Sequence, residues 1–353
     1  MSIKPEKTTI FFTGATGYIG GSVLQRILQH PEANTFDITA LVRDAGKAQL
    51  LETKFGVKAV VGSMEGFNKL SQLAENAHIV VQCAEADRDD MMNAILGGLK
   101  KRHEKTGDLP ILIHTSGAGI MADNARGEYL SDFILSDLDS QTIERFAPPA
   151  VHRSVDILVC KADAEGYVRT YIVLPTAVFG FGTGPLYDAG ISKRSPALIS
   201  VLTAAAVDRG RPGVMGTGKN AWGVIHVADN ADLTYLLFCA ALTGNSELGH
   251  GREGYYLTEN GEVTMYELCK AIGTALVEQG LAVEAEPTMF TPDERVKYFG
   301  GDAFADLFFS NVRGRGDRGR RDLGWTPKHS REDMWKEVPE VVEGVAKKAK
   351  GSA

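Results

Sequence analysis

The chain has 353 residues, a formal net charge of -7 and 44% hydrophobic residues. It is too long for a disulfide-stapled miniature and too apolar for a disordered chain, and its mild acidity argues against a general nucleic-acid binder. At roughly 100–200 residues per domain, the length suits two domains, or one large α/β domain with an appendage.

Met1–Lys7 is polar, and the apolar run Thr9–Phe12 is far shorter than a signal-peptide core or a membrane span of about 20 residues. Cys83, Cys160, Cys239 and Cys269 are widely spaced, without C-x-x-C pairs. That pattern predicts reduced, buried thiols and no metal site. These features together predict a cytoplasmic protein, a monomer or homodimer, with a small-molecule substrate and no nucleic-acid or membrane partner.

In chain order, strands and helices alternate. Thr9–Thr13 reads as a strand ending in glycines, and Tyr18–Gln29 as a helix with Ile19, Val23, Leu24, Ile27 and Leu28 on its apolar face. Asp37–Val42, Lys58–Val61, His78–Gln82, Pro110–His114 and Arg169–Leu174 read as further strands. Ala45–Phe55, Asn68–Glu75, Asp89–Lys105 and Ala150–Gly166 read as the intervening helices. Apolar strands alternating with helices predict right-handed βαβ units, hence a doubly wound parallel Rossmann sheet of the α/β class. Beyond Gly180–Gly184 the alternation breaks, which predicts a smaller mixed C-terminal substrate lobe. The predicted division is 1–181 for the dinucleotide-binding domain, with 222–258 returning to it. Residues 182–221 and 259–330 would form the substrate lobe, and 331–353 a terminal helix and tail.

Thr13-Gly14-Ala15-Thr16-Gly17-Tyr18-Ile19-Gly20 lies directly between the first strand and the first helix. There Gly14 permits a tight turn, Gly17 lets the backbone approach a pyrophosphate, and Gly20 lets the helix pack closely. Helix N–H groups would then face the phosphates. At the end of the second strand, where an acid would bind the ribose hydroxyls of NAD, the chain reads Leu41-Val42-Arg43-Asp44. Arg43 is placed to take a 2′-phosphate, so NADP(H) is expected over NAD(H), although Asp44 lies close by.

Four segments carry a resemblance to the extended or atypical branch of the short-chain dehydrogenase/reductase superfamily, which includes NmrA-like and epimerase-like proteins. They are the glycine turn, Pro175 with Val178-Phe179-Gly180, Trp222 through Asp229, and Arg321 through Pro327. The resemblance spans nearly the whole chain. It implies a cofactor site that includes Thr13, Gly14, Thr16, Gly17, Tyr18, Ile19, Gly20, Arg43, Cys83, Ala84, Pro175 and Val178.

The same resemblance implies a Ser or Thr after the fifth strand and a Tyr-x-x-x-Lys on the next helix. The chain departs from both. Gly117 falls at or next to the hydroxyl position, with Ser116 one short, and the matching helix reads His152-Arg153-Ser154-Val155-Asp156. His152 then stands for the Tyr and Asp156 for the Lys. Four residues apart on a helix, Asp156 would orient His152 as a proton donor, with Ser116 as a hydroxyl donor to a substrate carbonyl. Tyr266-x-x-x-Lys270 lies in the second lobe and is set aside. The implied function is an NADP(H)-dependent oxidoreductase acting on a small, largely apolar carbonyl, imine or activated alkene. The alternatives are a redox-neutral isomerase, epimerase or cyclase, and an NmrA-like cofactor-sensing regulator.

Overall fold

The computed structural model describes residues 7–245 and 247–351. The strands of three or more residues are β1 (Thr8–Thr13), β2 (Phe36–Val42), β3 (Lys58–Val61), β4 (Ile79–Gln82), β5 (Ile111–Thr115), β6 (Arg169–Pro175), β7 (Ala177–Phe179), β8 (Ala221–His226), β9 (Tyr255–Thr258) and β10 (Glu262–Thr264). Seven of them form one parallel sheet in the order β9-β6-β5-β4-β1-β2-β3. The order reverses between β1 and β4, and a doubly wound sheet opens its ligand crevice beyond the strand ends at such a point.

The sheet forms because its central strands are apolar toward both sides, while the edge strand β3 is partly exposed. Ile10 and Phe12 of β1 join one core with Val23, Leu24 and Phe238, while Phe11 joins the other with Leu70, Met91 and Leu99. Both cores are built from helices laid on the two faces, as all-parallel sheets require. The helices of nine or more residues are α1 (Tyr18–Leu28), α2 (Ala45–Phe55), α3 (Phe67–Glu75), α4 (Asp89–Thr106), α5 (Arg153–Ala164), α6 (Ala197–Arg209), α7 (Val227–Leu242), α8 (Met265–Glu278) and α9 (Arg331–Gly351).

A second, three-stranded sheet has the order β10-β8-β7, with β10 antiparallel to β8. Its side of the molecule shares the core of Phe11, and α6, α8 and α9 pack together there. The strands 135–136 and 314–315 pair with each other, and 213–214 pairs with 288–289.

The pairing register aligns the strand ends. Thr13 sits opposite Leu41 on one side and Gln82 on the other, and Gln82 sits opposite His114. The loops leaving β1, β2, β4 and β5 therefore emerge along one edge. All four cysteines are free, but only Cys269 is fully buried. The expectation of four buried thiols is corrected for Cys83, Cys160 and Cys239, which sit where loops and helix flanks leave them partly covered. Among the described residues, no helix is long and apolar enough to cross a membrane. No group of three or more His, Cys, Asp or Glu there could hold a metal ion.

Candidate active site

The turn after β1 is shaped by its glycines in different ways. Gly14 has φ +81°, which L side chains rarely adopt, and a Cβ there would run into the Cys83 carbonyl. A Cβ on Gly20 would run into the Gly14 carbonyl. Gly17 is less crowded: a Cβ there would meet a single atom of the protein, the Gly14 carbonyl oxygen, in a tight contact at 3.0 Å. Gly17 is also the N-cap of α1 and makes no side-chain cap, and no acid stands in the first turn. The uncapped N–H groups and the helix dipole make this end receptive to an anion.

A cavity of about 250 Å³ opens on this turn, lined by Gly14, Thr16, Gly17, Leu41 to Arg43, Met64, Glu65 and Cys83 to Glu85, with Arg88 and Lys193. Gly14, Thr16, Gly17, Arg43, Cys83 and Ala84 from the expected cofactor set thus meet at one place. Arg88 is held by Asp90 at 2.7 Å and faces Glu65 at 3.6 Å. Arg43 and Lys193 have no side-chain partner among the described residues. Asp44 is occupied elsewhere, accepting the Lys47 N–H at 2.8 Å as the N-cap of α2.

The rest of the expected set lies outside that cavity. Thr13 is buried at the end of β1. Tyr18, Ile19 and Gly20 form the first turn of α1, and the Tyr18 hydroxyl donates to the carbonyls of Phe179 (2.8 Å) and Gly180 (2.5 Å). Burial raises its phenol well above the ordinary value, so it stays a donor. Pro175 ends β6 opposite Thr258, and Val178 pairs with Ile225.

His152 sits just before α5, with φ +68° and ψ -17°. Besides Arg126 it is the only non-glycine residue with positive φ among the described residues. Such a conformation costs on the order of 1–3 kcal/mol and needs a compensating hold. Asp87, on the loop after β4, supplies it: one carboxylate oxygen accepts both the His152 backbone N–H at 2.9 Å and ring Nδ1–H at 2.8 Å. That hydrogen bond to His152 is the main reason the Asp87 carboxyl lies below its ordinary value. Because a carboxylate only accepts, Nδ1 carries the hydrogen and Nε2 is the exchangeable nitrogen. Nε2 hangs over the loop after β5, where a Cβ on Gly117 would stand 2.7 Å from it and one on Gly119 3.4 Å.

Asp156 does not orient His152, contrary to the sequence expectation. The i, i+4 relation needs both residues inside the helix, and α5 starts only at Arg153, so the His152 side chain leaves the helical face. Asp156 is instead fully buried, with its Oδ1 3.7 Å from Nε2 of the equally buried His114. His114 Nδ1 bonds the Gln82 side-chain oxygen at 2.6 Å. Neither Asp156 oxygen has a hydrogen-bond partner, nor has Ser116 Oγ or His114 Nε2. Burial pushes the Asp156 carboxyl up to about 7 and the His114 imidazole down to about 3. The nearby Ser116 hydroxyl and the His152 and Arg153 charges pull Asp156 partly back, though no bond of normal geometry joins Ser116 to it.

Other features settle into structural roles. Tyr266 and Lys270 both reach Glu286 on the surface, at 2.6 and 2.7 Å. The arginines of 313–321 pair with Glu262, Asp317, Glu253, Glu259 and Asp322, so the basic stretch is internally neutralised. Met91, Met92, Met121 and Phe179 are core residues. Sequence reasoning missed Asp87, Lys193 and His114. Asp87 reads in sequence as one more acid before a helix, and Lys193 as a loop lysine.

Comparison with known proteins agrees with this geometry. Residues 14–134 match a family described as NAD(P)H-binding. The chain is 30% identical over 337 residues to the oxidase ucsJ of Acremonium sp, covering 90% of this chain and 92% of that one. Its fold is similar to dTDP-glucose 4,6-dehydratase of Bacillus anthracis, at TM-score 0.64 and 16% identity over 96% of this chain and 97% of the other. It is also similar to UDP-glucose 4-epimerase of Thermotoga maritima, at TM-score 0.63 and 16% identity over 96% and 99%. The chain belongs to the same family as that oxidase, carries an NAD(P)H-binding match over residues 14–134, and shares the fold of the dehydratase and the epimerase.

Proposed function

We propose that the protein is an NADP(H)-dependent oxidoreductase of the cytoplasm, acting on a small, largely apolar carbonyl, imine or activated alkene. The observation that carries the reading is the His152 imidazole, fixed through Nδ1 by Asp87 with Nε2 over Gly117, at the strand edge that also bears the glycine turn. The relative named as an oxidase supports a redox reaction. An unpaired Arg43, beside an Asp44 engaged in capping α2, favours NADP(H) over NAD(H). Tyr129, Leu130, Phe133 and Ile134 stand exposed on the connection leaving β5, which suits an apolar substrate.

The cofactor fits the residues present: the α1 N-terminus and the Gly17 backbone, which lines the cavity, would hold the pyrophosphate, and Arg43 the 2′-phosphate. When bound, it supplies the hydride. The chain orients the substrate, and His152 gives a proton from Nε2 to the oxygen or nitrogen that gains electron density. Asp87 stabilises the imidazolium before transfer and keeps the ring's tautomer afterwards. Ser116 and Asp156 lie beneath this group as buried polar support.

The test is turnover of NADPH against a panel of carbonyls, imines and activated alkenes, alongside an assay for NADP+ that co-purifies. The reading expects net NADPH oxidation, with His152→Asn lowering kcat by roughly 10²–10⁴-fold while cofactor affinity is kept. Asn tolerates the left-handed backbone, so fold is spared. Tightly held NADP+ without net oxidation would place the protein among redox-neutral enzymes. Weak, exchangeable binding with no turnover would favour a cofactor sensor.

A further inference from the structure

The second lobe is joined to the Rossmann domain by a segment, 179–194, that lies across the glycine turn. Tyr18 holds its start through the Phe179 and Gly180 carbonyls. Gln25 donates to the Thr183 carbonyl at 2.9 Å. The Tyr187 hydroxyl donates to the Tyr18 carbonyl at 2.8 Å and meets Ser22 Oγ at 2.6 Å. Ser192 Oγ donates to the Ala15 carbonyl at 3.0 Å, and the Lys193 backbone N–H donates to the Thr16 carbonyl at 3.3 Å. Gly21 makes room for this approach, since a Cβ there would run into Ser192. After Lys193 the chain runs directly into α6 of the second lobe.

These bonds fix the Lys193 backbone while leaving its side chain exposed at the cavity that also holds Arg43 and Thr16. Of the charged groups lining that cavity, Glu65 and Arg88 are paired with each other, and Arg88 also with Asp90. Arg43, Lys193 and Glu85 remain without a side-chain partner, an excess of one positive charge. An anion entering there meets one cation from the end of β2 and one delivered from the second lobe.

We propose that Lys193 is a second reader of the cofactor's 2′-phosphate, acting beside Arg43 at the same cavity, and that this contact couples cofactor choice to the placement of the second lobe. The inference rests on the NADP(H) reading above and extends it to a residue outside the dinucleotide domain. An ammonium contributes as a point charge, so its effect adds to the planar fork of Arg43 and is screened by salt.

The test measures dissociation constants of NADPH, NADH, adenosine 2′,5′-bisphosphate and ADP for the wild type, Lys193→Ala, Lys193→Arg and Arg43→Ala by calorimetry at low and high salt. Lys193→Ala is expected to weaken NADPH and the 2′,5′-bisphosphate by about ten- to thirtyfold, shift NADH and ADP less than about threefold, and lose most of its effect at high salt. Lys193→Arg restores most of the loss. Equal weakening of NADPH and NADH would overturn the proposal, because Lys193 would then serve the shared pyrophosphate. An unchanged NADPH-to-NADH ratio in Lys193→Ala, in a wild type that prefers NADPH, would overturn it while leaving the NADP(H) reading intact. A wild type that binds NADH as tightly as NADPH would overturn both. Unchanged melting temperatures in the variants verify that fold is not the cause.

Discussion

His152 keeps its strained backbone only because Asp87 accepts two of its N–H groups and two glycines lie under its ring. Gly117 has φ -169°, an extended conformation open to any residue, so its backbone does not require glycine. What requires it is the imidazole 2.7 Å from where a Cβ would stand. Gly117→Ala should therefore push the ring off its position and lower kcat toward that of His152→Asn, with a melting temperature within a few degrees of wild type. Full activity in Gly117→Ala would show that ring position does not matter. Beneath it, Asp156 makes a prediction of opposite character. Burial raises its carboxyl from 3.8 to about 7, so the folded chain keeps a proton that the unfolded chain releases. Stability from this group is complete below its unfolded value and is lost as pH rises through about 7. Asp156→Asn has no such loss. Compared with wild type it should gain stability between about pH 4 and pH 8, on the order of 2–4 kcal/mol by denaturant titration. His114, pushed down to about 3, acts in the opposite direction at acid pH but is common to both proteins. A wild-type-minus-variant difference that is flat with pH would contradict a buried, ionising Asp156.

At the scale of elements, the turn from β1 into α1 does two jobs with the same residue type. Gly14 and Gly20 let the turn close against Cys83 and on itself, whereas a Cβ on Gly17 would press only on the Gly14 carbonyl oxygen. Gly17→Val should keep a wild-type circular dichroism spectrum and cost far less stability than Gly20→Val, yet lose nucleotide binding. Gly20→Val should lose stability outright. If Gly17→Val binds nucleotide normally, the phosphates do not lie on this turn. The segments near Asp229 and Trp325 show a different kind of linkage. The Trp325 indole N–H donates to the Asp229 carbonyl at 3.0 Å, and Asp229 accepts the His329 N–H at 2.8 Å. Two motifs far apart in sequence are thus one structural joint, which ties the end of the chain to the start of α7.

Across the whole molecule, what was legible in the sequence is what repeats along the chain. The central strands of the large sheet are apolar toward both faces, and helices with one apolar face lie between them, so alternation alone predicts the sheet. The glycine turn was legible because backbone geometry demands glycine at fixed spacing. What was not legible depends on contacts between distant segments. Asp87 finds His152 across 65 residues, and Lys193 reaches Thr16 from the segment just before α6. The start of α5 was misplaced because one strained residue, held by a distant carboxylate, delays the helix and turns His152 away from Asp156. Local periodicity has no means of seeing such a hold.

We propose that the cavity over the glycine turn selects NADP(H) through its 2′-phosphate. The most direct measurement is calorimetric titration of the purified protein with NADPH and, separately, NADH at moderate salt. The account predicts one site per chain, at least about tenfold tighter for NADPH, with most of that preference removed by Arg43→Ala. Equal affinity for the two nucleotides, or a preference for NADPH that survives Arg43→Ala unchanged, would contradict it.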